Sequence, residues 1–476
     1  MHEVGAWGLL SPAVTICLAI FTRQVILSLM LGCVAGFLVL SNFHIGMGLE
    51  NSVQGAIDVF KSDGVVRTLI FTVMISGVIH LARITGGMQG LVNLISERLK
   101  IIRGPISTQL LAGLLAMVIF IDSYLAMLTS GAATVELTRK HRVAREQVAY
   151  VLKNAGISAW SSVMFNGWGA MMLGIVAVQV ENGSIAGNPF NILAHSIAYN
   201  LFAWASIALV LLSIFTPFAF PAMRRAKQRA AMGVELRQGA TPLAAVGEQP
   251  TLTGAGVSNL LVPLVSLFLF VPVGLFITGR GEIADGSAST AILWAVIFGQ
   301  VVGCIHYVWI KRVMRIGDYI NHLIDGYQAM VPLVVVLTLA FLIGDLSSQL
   351  QIGQFLSAHF SVLMPVGLVA AFVFVVAALI SLSTGTSWGT FSIMIPIGIQ
   401  LAVSSGADPY LVVGAAISGA IFGDTASPIS DTGIVTATAT GNDMMDHIKT
   451  QLPYCLTAAG IALVGFIVLG LTGTAW

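Results

Sequence analysis

Charge is what this sequence has least of. It carries 22 Lys and Arg and 21 Asp and Glu in 476 residues, 9% charged, where a soluble domain carries about 25%. That excludes an ordinary soluble fold. The two signs nearly cancel, to a net +1, so there is no basic footprint for nucleic acid. Cysteine is equally sparse. Cys17, Cys33, Cys304 and Cys455 lie singly in apolar segments without ligand spacing, which makes them packing residues and not a disulfide or metal framework. The opening "MHEVGAWGLLSPAV" lacks a basic n-region and a cleavage site, and reads as a first helix instead of a signal peptide. The short alternating segments of a membrane β-barrel are missing. So are a nucleophile–base pair and a metal-ligand set, which leaves an enzyme or a bound cofactor without footing.

What is present is apolar sequence, 57% of the chain with a mean hydropathy of +0.92. It falls into repeated segments of roughly 20 residues, long enough to span a bilayer. Lys and Arg concentrate in "ERLKIIRG", "RKHRVARE", "RRAKQRA" and "KRVMR", and the positive-inside rule places these in the cytoplasm. Gly104–Thr138 is mostly apolar, yet both of its ends look cytoplasmic. About 35 helical residues would span roughly 52 Å, too long for a ~30 Å core. A re-entrant hairpin over 104–138 with its tip at Asp122-Ser123 explains both facts; one long tilted helix is the alternative. A second hairpin, 361–402, has the polar centre "SLSTGTSWGT" and both ends outside.

The remaining segments predict helices near 5–21, 24–41, 67–83, 147–180 and 190–217, then 258–278, 286–310, 328–346, 410–440 and 452–474. Amphipathic stretches, "SVQGAIDVFK" and "IGDYINHLIDGY", recur at matching places. The expectation is an all-α polytopic membrane protein made of two inverted-topology repeats, 1–221 and 258–476, joined by a cytoplasmic linker, 222–257. It has about ten transmembrane helices plus two re-entrant hairpins, with broken helices at the midplane and both termini outside. Such inverted repeats mark secondary transporters.

The stretch "GDTASPISDT", Gly423–Thr432, follows an apolar small-residue helix. Irregular backbone at membrane depth must be buried in protein or line a cavity. Pro428 removes a backbone donor, which predicts a helix unwound between Phe422 and Gly433. Its counterpart is Val151–Gly169, where Gly156 is expected to loosen the helix. The tips and breaks should converge, giving a candidate site of Asp122, Ser123, Asn154 and Ser158 from one repeat and Thr384, Thr386, Ser387, Asp424, Ser427 and Asp431 from the other. Hard cations prefer such oxygen ligands, and Na+ at Asp122, Asn154, Thr384 and Asp424 suits the set. Blander roles stay open: hydroxyls bonded to their own helix, Asp424 as a cap, Asp431 at an interface. Lys153 can snorkel to the surface or turn inward as a charge partner of Asp122.

The blocks "IFTRQVILSLMLG", "FIDSY", "REQVAYV", "STGTSWGTFSIMIPI", "GAIFGDTASPISDT" and "HIKTQLPY" resemble the NhaC-type Na+/H+ antiporter family, in order along most of the chain. The resemblance implies an inner-membrane, cation-coupled carrier, commonly homodimeric, with Na+ and H+ as its ions and no cofactor besides. The sequence departs from the family pattern at Ser123, where a second acid is usual, and at Lys153-Asn154-Ala155. Two readings follow. In a Na+/H+ antiporter, Asp122, Asp424 and Asp431 hold Na+ and H+ in turn. In a Na+- or H+-coupled carrier of a small organic solute, an amino acid or carboxylate, Trp160, Trp168 and Trp388 shape the pocket.

Overall fold

The computed structural model describes residues 5–22, 24–87, 90, 104–120, 123–164, 166–242, 256–282, 286–350 and 365–473, and no strand occurs among them. The first half contains α1 (Leu10–Thr22), α2 (Val25–Leu40), α3 (Ile45–Asp58), α4 (Asp63–Ile84), α5 (Pro105–Val118), α6 (Ser123–Lys140), α7 (Arg145–Trp160), α8 (Gly167–Glu181), α9 (Pro189–Ala198) and α10 (Leu201–Phe215). After α11 (Pro221–Ala231), the second half contains α12 (Ser258–Thr278), α13 (Ala288–Cys304), α14 (Ile316–Ala329), α15 (Val331–Gln349), α16 (Val369–Thr384), α17 (Ser387–Ser405), α18 (Pro409–Ala426), α19 (Asp431–Ala439) and α20 (Met444–Thr472). The same order runs twice: two apolar helices, an amphipathic helix, a long helix, two helices meeting at a short break, a broken helix and a closing helix.

Among the described residues, seven helices are long and apolar enough to cross a membrane, or nine if each bent pair is one span. The protein is thus a multi-pass, all-α membrane protein. The bent pairs are α9 with α10, at 41°, and α14 with most of α15, at 47°. The amphipathic helices explain themselves by periodicity. On α3, Ile45, Leu49, Val53 and Ile57 are exposed at every fourth position, and on α14 so are Ile316, Ile320 and Ile324. A stripe at that spacing lies on one helix face, here the face turned away from the rest of the protein.

Two breaks differ from expectation, each for a local reason. The second break is shorter than predicted: α18 stays helical through Gly423, Asp424 and Ala426, and only 427–430 leave the helix. Gly423 serves packing here. A Cβ on it would stand 2.4 Å from the Leu382 amide nitrogen and 2.5 Å from the Ser381 Cβ, so its absence lets α16 and α18 cross closely. Gly156 does not loosen α7 either. The helix continues to Trp160, whose ring fills the space 2.6 Å from where a Gly156 Cβ would lie. The first half breaks later, between Trp160 at the end of α7 and Gly167 at the start of α8. Between α16 and α17, Gly385 takes φ +71, a conformation open to glycine at little cost, and Thr386 is extended before α17 begins.

After α10 the chain straps one end of the bundle. Ala226 and Ala230 of α11 pack on Ala144. Arg229 pairs with Glu146, Arg145 with Glu235, and Arg237 with Asp446 at 3.1 Å. Asp443 caps α20 by accepting from the Met445 and Asp446 amides at 2.9 and 3.0 Å, and its other oxygen accepts from Thr241. Burial pushes the Asp443 carboxyl up, but the hydrogen bonds from Thr241 and the cap amides outweigh it and the net direction is down. A lowered carboxyl contributes stability that is full above its unfolded value, about 3.9, and is lost as pH falls through the folded one. Asp443→Ala is therefore expected to cost about 1 kcal/mol at neutral pH and to narrow the gap to wild type in acid, read from melting curves in detergent.

Candidate functional site

Two chain interruptions meet at Asp424, the turn before α17 and the break before α19. The carboxylate sits on the last turn of α18 and is 1% exposed. Its Oδ2 accepts from the Ser387 amide at 3.3 Å and the Ser387 hydroxyl at 2.9 Å. Its Oδ1 accepts from Ser430 Oγ at 2.7 Å and Thr432 Oγ1 at 2.6 Å. Ser387 opens α17, while Ser430 caps α19 through the Gly433 amide at 3.1 Å. Two helix N-termini therefore point at one carboxylate, and the partial positive charge of each favours an anion there.

The carbonyls at the end of α18 face the other way. Asp424 would pass its carbonyl to the amide of the residue four on, but that residue is Pro428, which has none. Lys153 Nζ donates instead, to Asp424 O at 3.4 Å, Thr425 O at 3.1 Å and Ser430 Oγ at 3.4 Å. Lys153 is completely buried, so it does not snorkel. The inward option is the one the fold adopts, with α18 and α19 as its partners. Asp431 is the first residue of α19 and is half-buried. Tyr124, on the first turn of α6, donates its hydroxyl to Asp431 Oδ2. The start of α6 thus reaches the second half's break. Asp122, the proposed tip acid, lies outside the described residues, and Ser123 opens α6 beside it.

Other expected members are employed elsewhere. Asn154 Nδ2 donates to Tyr150 O at 3.0 Å and Gln451 Oε1 at 3.3 Å, and its Oδ1 accepts from Ser206 at 3.1 Å. It ties α7 to α10 and α20. Gln451 carries the tie onward by donating to Thr425 O at 2.8 Å. Thr384 bonds its own helix, at Ile380 O, 2.9 Å away, which is the bland role for a membrane threonine. The structure does not bring Asn154 and Thr384 onto Asp424. The Thr386 carbonyl accepts from Thr390 at 3.1 Å. Ser427 turns its hydroxyl to the Ile429 amide at 3.3 Å within the break. Ser158 is buried, and among the described residues its Oγ has no partner.

Sequence reasoning did not single out Ser430 and Thr432, though both lie inside "GDTASPISDT"; the serine three residues before Gly433 is a readable cap. Nor did it find Asn200, which joins Ser161 of the first break to Ser418 of α18 at 3.0 Å each. No local signal marks that asparagine, because its partners come from two distant helices. The three tryptophans do cluster. The Trp168 ring lies 6.4 Å from Trp160 and 5.9 Å from Trp388, with Phe391 at 5.8 Å.

The chain is similar to known carriers. The family model described as "Na+/H+ antiporter family" matches residues 166–471. An uncharacterized protein of Haemophilus influenzae is 28% identical over 98% of this chain and 91% of its own length. The malate-2H(+)/Na(+)-lactate antiporter of Bacillus subtilis is 34% identical over 20% of this chain and 21% of its own. Among solved structures, the Alcanivorax borkumensis YdaH transporter superposes with a TM-score of 0.58 at 16% identity, covering 90% of each chain. At that identity the likeness is one of fold.

Proposed function

Since this chain belongs to the Na+/H+ antiporter family, we propose that it exchanges Na+ for H+ by alternating access to the pocket around Asp424. It is a secondary carrier, not an enzyme, and needs no cofactor beyond the ions it moves. The observation that carries this reading is a sealed carboxylate ringed by three hydroxyl donors, Ser387, Ser430 and Thr432. A hydroxyl can donate or accept according to how it turns. Pointed at Asp424 they satisfy the empty carboxylate; turned away, they offer lone pairs to a bound Na+. A proton on Asp424 occupies the same seat. One seat with two guests gives exchange and not leak. Asp122 and Asp431 belong to the same reading as neighbouring acids, supported by the Tyr124–Asp431 contact.

The doubled element order supports two inverted repeats, 1–221 and 258–476, with hairpins at 104–138 and 361–402 and a linker at 222–257. One bundle would shift against the other to expose the site on each side. Arg139, Arg142, Arg145, Arg229 and Arg237 gather where the linker straps the bundle, which favours that end as cytoplasmic. The reading places the carrier in the cell inner membrane as a homodimer, with both termini outside. A second reading, coupled transport of a small organic solute, is favoured by the tryptophan cluster beside α17. Proteoliposomes holding a pH dye separate the two. Added Na+ alone discharges an imposed proton gradient under exchange; a response that waits for a small carboxylate or amino acid supports the second reading.

A further inference from the structure

The Lys153 amine has no ion pair among the described residues and is buried in a protein that spans lipid. A buried charge held so is costly unless fixed dipoles replace water. Here the replacement is an oxygen shell: the carbonyls of Asp424 and Thr425, freed by Pro428 and the break, and the Ser430 hydroxyl. Those carbonyls are the negative end of α18. Carbonyls of an unwound helix plus a hydroxyl are also what an alkali cation takes from a carrier. Gly433 leaves room for the ammonium, since a Cβ there would stand 3.0 Å from Nζ. Ser430 bridges the two charges, accepting from Lys153 and donating to Asp424. Lys153 itself has no exposed surface.

We propose that Lys153 is a built-in cation: its ammonium occupies an alkali-ion seat formed by the Asp424 and Thr425 carbonyls and the Ser430 hydroxyl, so the carrier loads one Na+ fewer than its pocket has seats. The proposal rests on Asp424 being the exchange site, and the test separates the two. Radioactive Na+ binding is counted on the purified full-length protein in detergent at saturating Na+. Lys153→Ala is expected to bind about one Na+ per chain more than wild type. Ethylammonium, which refills the seat with an amine, is expected to displace that added ion only. Lys153→Ser, which supplies a hydroxyl to the vacated position, carries the same expectation, so a folding failure of the alanine form leaves the count readable. A folded variant with the wild-type count overturns the built-in cation. Asp424→Asn in the wild-type background is the separate control: Na+ binding retained there overturns the exchange site, whatever the lysine variants do.

Discussion

Asp424→Asn is expected to cut Na+-driven proton movement in proteoliposomes by about two orders of magnitude or more. Removing one member of a buried, hydrogen-bonded charge set costs about 2–5 kcal/mol, and each 1.4 kcal/mol is a factor of about ten. The amide keeps the shape, but it can neither hold a proton at the exchange position nor balance a cation. It also removes the anion that Ser430 bridges to Lys153, leaving the buried lysine to its oxygen shell alone, and a buried charge with less compensation is destabilising. A lower melting temperature should therefore accompany the lost flux. Adding Lys153→Met to Asp424→Asn separates the two effects: the double variant should regain much of the melting temperature and none of the transport. Recovery of transport in the double variant would mean that Asp424 serves only to neutralise the lysine.

Gly423→Ala is the second large effect, and it acts through packing. The new Cβ would stand 2.4 Å from the Leu382 nitrogen and 2.7 Å from Ala378 O, backbone atoms that cannot swing aside. Overpacking typically costs about 1–3 kcal/mol, and here α16 must move away from α18. Ser387 is two residues beyond Gly385 at the end of α16, so its bonds to Asp424 stretch with the displacement. Loss of both melting temperature and Na+ affinity is expected. Gly460→Ala is the control. Nothing lies within 4 Å of a Cβ there, and in the middle of α20 alanine should be neutral or stabilising by up to about 1 kcal/mol. Equal effects at the two positions would show that Gly423 is not a crossing point.

Much of this arrangement is legible in the sequence because lipid constrains it so strongly. A hydrophobic run interrupted by Pro428 and flanked by two acids has few ways to exist at membrane depth, and "GDTASPISDT" marks a candidate site for that reason. The tip "SLSTGTSWGT" is legible for the same reason, down to Ser387. The partner choices were harder to read. Asn154 looks like a ligand by type and depth, yet Gln451 and Ser206 take it up; both come from distant helices, and their approach depends on how α7, α10 and α20 pack. Lys153 lies near enough to a helix end for its stem to reach the surface. What draws it inward is a pair of carbonyls 271 and 272 residues away. Gly423 shows the limit of local reasoning in another way: glycine before a break suggests an unwound backbone, whereas here it serves a helix crossing.

The central claim is that one carboxylate serves both ions. It is tested most directly by Na+ affinity measured against pH on the purified protein, with the proton release that accompanies binding. Competition at Asp424 requires the apparent Kd for Na+ to rise by about tenfold per pH unit on the acid side, with protons expelled as Na+ enters. An affinity that stays flat across that range, with no proton released, would contradict it.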